Sequence, residues 1–186
     1  MTVKPQAGTI PGVMMTYTGK IVKPLELRPK DVDPIDIAHA LANITRYNGH
    51  AQWPLSVAEH SVRCARRVSK TNPDRPWLLL HDAPETYLGD LIAPLKYLPE
   101  FTFYREVEDQ VMLVICERFG LDPVEPECVH EIDMAMRATE MRDIRPPPPK
   151  KMREGQPEPY AFKIVPWNHN AAKNEFLKEM KALGLK

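Results

Sequence analysis

Apolar side chains recur at three- and four-residue spacing in segment after segment of this chain, and Gly or Pro closes each segment. "DIAHALANITRY" opens at Asp36 with Ile37, Leu41 and Ile44 on one face, and "RYNGHAQWP" breaks it. Ser56 is the N-cap of "VAEHSVRCARRVSK", with Glu59 three residues on as its capping-box partner. Val57, Cys64, Ala65 and Val68 make the apolar stripe of that helix. After the turn "TNPDRP", a helix runs through "WLLLHDAPETYL" and ends at Gly89. "YREVEDQVMLVICERFG" is a long amphipathic helix closed by Gly120, "ECVHEIDMAMRATEMRDI" is another, and "NAAKNEFLKEMKAL" is the last.

The expected fold class is therefore all-α, a bundle of about six or seven helices in a single domain. Residues 1–34, rich in Pro, Gly and Thr, read as an extended N-terminal arm with a short hairpin around Thr18-Gly19-Lys20. Residues 35–143 form the helical core, and 144–186 a Pro-rich loop, "RPPPPKKMREGQPEP", before the final helix. "LIAPLKYLPEF" is a loop or short helix, and "YAFKIV" reads as one short strand.

Charge and cysteine usage exclude several classes. With 25 basic and 25 acidic side chains in 186 residues, the chain lacks the basic excess that duplex nucleic acid demands. Cys64, Cys116 and Cys128 are scattered and odd in number, with no zinc-finger spacing; they read as reduced thiols of a cytoplasmic protein. No apolar run approaches the ~20 residues of a membrane span, and "MTVKPQAGTIPGVMM" has no signal-peptide pattern.

Against that background the ionisable groups beside apolar stripes stand out. On the helix of Val129, Ile132 and Met136, Asp133 lies within the stripe and Glu140 two turns later on the same side. A buried carboxylate is paired, protonated or bound to a cation, so a salt bridge and a metal ligand are the alternatives. His60 flanks the stripe of its own helix, and His81 and Asp82 follow the run Trp77 to Leu80. Two imidazoles and two carboxylates on three helices make a mixed N/O donor set suited to Zn, Co, Mn or Fe.

The pattern His…His-Asp…Asp resembles that of the HD-domain metal phosphohydrolases. "RYNGH…SVAEHS", "LLHDAPETYLGDLIAPLK" and "EIDMAMRATE" are similar to the nucleotidase branch and to small phage and bacterial relatives, dATP triphosphohydrolases among them. The resemblance covers 36–143 strongly and the flanks more loosely. It implies that His60, His81, Asp82 and Asp133 bind one divalent ion (Zn, Co or Mn), with a second ion such as Mg accompanying a triphosphate. It implies Glu85 as the proton-handling residue, Asp90 near the sugar and the attacking water, and Arg46 and Lys96 at the phosphates. Tyr47, His50 and Trp53 are candidates for the base or sugar, with core packing or a solvated loop as their alternatives. Pro84 departs from the pattern, which has Ser or Thr there; it removes an N–H and can kink a helix just before Glu85.

The expected activity is hydrolysis of (deoxy)nucleotide phosphates: a dATP-type triphosphohydrolase first, a 5′-deoxynucleotidase second, a non-catalytic nucleotide or metal scaffold third. The "GHAQWPLSVAEHS" and "GDLIAPLK" context points away from a (p)ppGpp hydrolase. The expected partners are a nucleotide and further copies of the chain, as a dimer or hexamer, with no membrane; the helices of Tyr104 to Phe119 and of the C-terminus carry enough apolar residues for such an interface.

Overall fold

The computed structural model describes residues 8–186, with the backbone alone at Met152 and Arg153. The sequence MTVKPQA, residues 1–7, on which part of the signal-peptide expectation falls, lies outside the described residues. The all-α reading holds: the described chain is mostly helical, and its one sheet is a two-stranded ribbon. In this ribbon β1 (Met14–Met15) pairs antiparallel with β2 (Ile21–Val22), the hairpin expected around Gly19. The buried carboxylate of Asp36 holds it down, accepting the backbone N–H of Thr18 at 2.7 Å and its hydroxyl at 2.8 Å.

Helix α1 (Pro34–Asn43) starts two residues before Asp36 because Asp33 caps it, accepting from the N–H of Ile35, with Pro34 at the first position. Helix α2 (Val57–Ala65) begins at Ser56, whose hydroxyl accepts the N–H of Glu59 as expected. The other half of the capping box is not made: the Glu59 carboxylate accepts instead from Arg63 and from the N–H of Trp167 at 2.7 Å, tying the C-terminal segment to α2. Eight of the nine residues of α2 are buried, and α1, α3 (Arg75–Leu80), α7 (Glu127–Asp143) and α9 (His169–Ala182) all pack on it. Ile37, Leu41, Val62, Leu78, Leu79, Leu80, Phe176 and Met180 fill the core between them. The apolar face of α9 is thus used within the chain.

Two expectations need correction. The helix through "WLLLHDAPETYL" is two: α3 stops at Leu80, residues 81–84 form turns, and α4 (Glu85–Leu88) follows to Gly89, whose φ of 79° turns the chain. Pro84 accounts for the break, since it has no N–H to give and its ring crowds the carbonyl four residues back. "YAFKIV" is irregular, with a bend at Ala161 and Phe162, and is not a strand. Side chains of α7 take the hydrogen bonds a ladder would use: Thr139 accepts from the N–H of Tyr160, Asp143 from that of Ile164, and Arg142 donates to the carbonyls of Tyr160 and Phe162.

Around these, α5 (Ala93–Lys96) is a single turn, α6 (Thr102–Phe119) ends at left-handed Gly120, and α8 (Lys150–Arg153) interrupts the Pro-rich loop. No helix among the described residues is long and apolar enough to cross a membrane.

Candidate metal centre

The buried face of α2 presents His60, with no solvent exposure, toward the end of α3 and the middle of α7. From α3, the chain turns immediately after Leu80, so His81 and Asp82 leave the core together and face the same point. From α7 comes Asp133. The Nε2 atoms of His60 and His81 lie 3.3 Å apart, and Asp133 Oδ1 is 3.0 Å from His60 Nε2. Cys64, one turn beyond His60 on α2, brings its Sγ within 3.5 Å of the same nitrogen. His60, Cys64, His81 and Asp133 each offer one ligand atom, and these atoms all lie within 4.8 Å of one another, close enough to hold a metal ion. Asp82 Oδ2 stands beside them, 3.4 Å from His81 Nε2 and 3.8 Å from His60 Nε2.

The hydrogen bonds behind the two imidazoles decide which nitrogen faces the site. His81 Nδ1 lies 3.0 Å from the carbonyl oxygen of Leu78, which can only accept, so Nδ1 carries the proton. His60 Nδ1 lies 2.6 Å from Oε1 of Glu140. Burial works against charge on Glu140, but Arg46 and His60 outweigh it and hold its carboxyl down at about 2, so this group also accepts. Two neutral imidazoles would therefore point bare lone pairs at one another across 3.3 Å. That contact is unfavourable unless a cation or a proton lies between them. Without a metal, a proton serves: burial and Arg46 disfavour charge on His60, but Cys64, Glu140 and Asp133 hold its pKa well above the ordinary value. Burial likewise opposes ionisation of Asp133, yet the hydrogen bond from His60 and the charges of His60, His81 and Arg46 keep it far below the usual range.

Glu140 is the stripe carboxylate that takes the salt-bridge alternative. It is fully buried and accepts three hydrogen bonds: from His60, from Arg46 Nε at 2.9 Å and from the Tyr47 hydroxyl at 2.5 Å. These contacts offset the several kcal/mol that burying a lone carboxylate costs. Its signal was present, two turns from Asp133 on the same stripe, but its partners come from 80 to 94 residues away. Arg46 continues from Glu140 to Asp82, 3.3 Å from its NH1, and toward Asp133, 3.9 Å from its NH2. Tyr47 and Asn48 adopt left-handed backbone, φ 60° and 53°, followed by Gly49 at 76°. Such strain, of order 1–3 kcal/mol for each non-glycine residue, persists where the surroundings enforce it. Here the turn lets adjacent side chains, Arg46 and Tyr47, reach the same carboxylate.

Glu85 is buried, and its Oε2 has no hydrogen-bond partner. Burial first, then the charges of Asp82 and Asp90, push its carboxyl well above the usual range. Asp90 is half-buried and raised by burial, with Arg46 opposing and Asp82 adding to the rise. Glu85 is aimed inward despite Pro84, because the proline sits in the turn that re-aims the chain and not in a continuous helix.

His81, Asp82 and Asp133 open onto a cleft of about 560 Å³ that Lys96, Arg105 and Glu108 also line. Lys96 is paired with Glu108, which outweighs burial and raises its pKa. Arg46, Glu85 and Asp90 do not themselves line this cleft, although Arg46 reaches Asp82. Three further expected residues are elsewhere. Tyr47 stands behind Glu140, with the guanidinium groups of Arg46 and Arg145 over its ring. His50 is exposed in the loop, and neither lines the cleft. Trp53 is 61% exposed and lines a separate cavity of about 850 Å³ with Asn43, Lys163 and Trp167. Trp53, expected as a candidate for the base, thus lies outside the cleft of His81, Asp82 and Asp133.

The chain is 34% identical over 171 residues to uncharacterized protein YfdR of Escherichia coli K12, covering 90% of this chain and 93% of that one. It belongs to the YfdR family. Uncharacterized protein RCAP_rcc00048 of Rhodobacter capsulatus is 38% identical over 116 residues, 59% of each chain. No protein-family model matches the chain.

The donor set fits the ion that the resemblance implies. Two nitrogens at about 2.0–2.1 Å from a tetrahedral ion lie about 3.4 Å apart, and His60 and His81 are 3.3 Å apart at Nε2. The anchors behind them, Glu140 and a backbone carbonyl, are the kind that orient metal-binding histidines.

Proposed function

We propose that this YfdR-family chain is a metal-dependent phosphohydrolase of the HD type acting on deoxynucleotides. In the leading reading it releases deoxynucleoside and inorganic triphosphate from a deoxynucleoside triphosphate, dATP first. The observation that carries the reading is the convergence of the Nε2 atoms of His60 and His81, 3.3 Å apart, with Asp133 and Asp82, the last two and His81 opening onto a cleft large enough for a nucleotide. His60, His81, Asp133 and Asp82 would hold a divalent ion, Zn, Co or Mn. When bound, such an ion polarises a phosphoryl oxygen and acidifies a water.

The chain's own groups do the rest. Arg46, fixed through Nε by Glu140, keeps its terminal nitrogens at Asp82 and Asp133, where they neutralise charge on a phosphate laid across the site. Glu85 has a carboxylate oxygen free of other bonds, so it exchanges a proton with the attacking water and then with the departing 5′-oxygen. Asp90 shares that acidic pocket at the sugar side. A second ion such as Mg travels with the triphosphate.

One observation favours the second reading, a 5′-deoxynucleotidase. Lys96, a cation that lines the cleft, is already paired with Glu108, and Lys150 and Lys151 of the Pro-rich loop do not line it. Incubation with dATP and dAMP across a metal panel, with products separated by chromatography, tests both. Inorganic triphosphate from dATP supports the first and orthophosphate from dAMP the second. No phosphate release from any nucleotide with any metal leaves a non-catalytic binding protein. Homo-oligomers, dimers or hexamers, accompany this reading; exposed Phe103 and Leu113 on α6 offer apolar surface for them, and light scattering measures the number.

A further inference from the structure

The sequence places Cys64 in the apolar stripe of α2, an ordinary core thiol. Its surroundings are not those of a core thiol. It is fully buried, yet its sulfur lies 3.5 Å from His60 Nε2, within a cluster that includes His81 Nε2 and a carboxylate oxygen of Asp133. His60 and Cys64 are four residues apart on one helix, so a single turn presents both donor atoms side by side.

We propose that Cys64 is itself a ligand of the ion, as a thiolate, and that this makes the centre select zinc or cobalt(II) over manganese and magnesium. The proposal rests on the metal-centre reading above and specifies its ligands. Its warrant is the length of the three donor-atom edges that meet at His60 Nε2, with all four donor atoms within 4.8 Å of one another. A tetrahedral ion with sulfur at about 2.3 Å and nitrogen at about 2.0–2.1 Å holds these two atoms about 3.5 Å apart, and two nitrogens about 3.4 Å apart. The Cys64–His60 edge is 3.5 Å and the His60–His81 edge 3.3 Å. The His60–Asp133 edge, at 3.0 Å, is a few tenths short of a nitrogen–oxygen edge. Asp82 fits less closely: its Oδ2 is 3.8 Å from His60 Nε2 and shared with Arg46.

Ligand type then sets metal choice. Thiolate favours zinc and its thiophilic neighbours, whereas manganese and magnesium prefer all-oxygen surroundings. On binding, the S–H bond breaks, its electron pair stays on sulfur and forms the metal–sulfur bond, and the proton leaves to solvent. No oxidant or reductant is required. The other two thiols are not competitors: Cys116 sits on α6, and Cys128 bonds Asp74 at the start of α7.

Cobalt(II) is the probe, because a thiolate ligand gives it a near-ultraviolet charge-transfer band that nitrogen and oxygen donors do not, while its visible bands report binding by any donor. The full chain titrated with cobalt(II) should develop both. Cys64→Ser and Cys64→Ala should keep the visible bands and lose the ultraviolet one, and each should lower the preference for zinc over manganese at least ~10-fold in a competition titration, as replacing a soft donor implies. Visible bands without the ultraviolet band in the unaltered protein would overturn the proposal while leaving the metal centre standing. An ultraviolet band that survives both substitutions would overturn it as well. No cobalt bands of either kind would overturn the metal centre and the proposal together.

Discussion

Two buried ionic regions flank α2, and they differ in how their charges balance. On the α9 side, Glu179 receives Arg66 at 2.7 Å and Arg75 at 2.7 Å, Glu175 is paired with Arg66, and Glu59 is satisfied by Arg63 and a backbone N–H. Each carboxylate there has its cation or donor. On the α3–α7 side, Asp82 and Asp133 share one partly buried arginine, Arg46, which Glu140 already engages, and nearby Glu85 retains an oxygen with no partner. The first region is a closed seam between helices. The second gathers more carboxylates than cations around two imidazole nitrogens 3.3 Å apart, an arrangement close enough to hold a metal ion. Buried carboxylates alone do not mark a functional site; the mismatch between their number and that of their partners does.

The contrast can be broken or sharpened by experiment. The largest effect is expected at Glu85. Glu85→Ala should lower turnover at least ~100-fold and up to ~10,000-fold with the metal still bound, the range for a lost proton carrier. Asp82→Asn should also lose at least ~100-fold; a properly metallated Asp82→Asn protein with unaltered turnover would remove the assignment. Stability should follow the opposite pattern. Glu179→Ala leaves Arg75 buried without its carboxylate and should cost on the order of 3 kcal/mol in urea unfolding. Replacing the unpaired Glu85 by Gln should not destabilise the fold. If both variants cost the same, the distinction between seam and site collapses.

A smaller effect falls on Glu140, which touches His60 but no ligand atom. Glu140→Gln weakens the charge-assisted bond to His60 Nδ1 and should lower metal affinity about 10-fold in a chelator competition, the lower end for groups that orient a ligand. An unchanged affinity would reduce Glu140 to a structural carboxylate.

The pH dependence of the seam has a definite sign. Burial alone would raise the Glu179 pKa, but the hydrogen bonds and charges of Arg75 and Arg66 lower it below the ordinary value. Its contribution to stability is therefore present above the unfolded-state pKa and is lost as pH falls through the folded one. The difference in Tm between the unaltered chain and Glu179→Gln should shrink on acidification below the usual carboxylate range; a gap that widens there contradicts the pairing. The smallest effect belongs to Trp53. Outside the metal cleft, its replacement by Ala should change nucleotide KM by less than a factor of ~2, within the ±0.5 kcal/mol typical of exposed sites away from special features.

Most helices and the four metal candidates were legible in the residues alone, because both leave local marks: apolar side chains at helical spacing, caps such as Ser56 and Gly120, and His or Asp in or beside a stripe. It also marked the hairpin, whose turn residues lie within a few positions of one another. The break at residues 81–84 was half legible, since Pro84 was visible but its consequence depended on whether α3 could continue past it. Only the tertiary structure decided that "YAFKIV" bonds to α7 side chains instead of a strand, that Trp53 faces another cavity, that Glu140 anchors His60, and that Cys64 joins the donor cluster. Most of these are pairings between groups tens of residues apart; Cys64 lies one turn from His60, but His81 and Asp133 reach that pair only through packing. Periodicity assigns a side chain to the inside of its helix, but what it meets there depends on how the other helices pack.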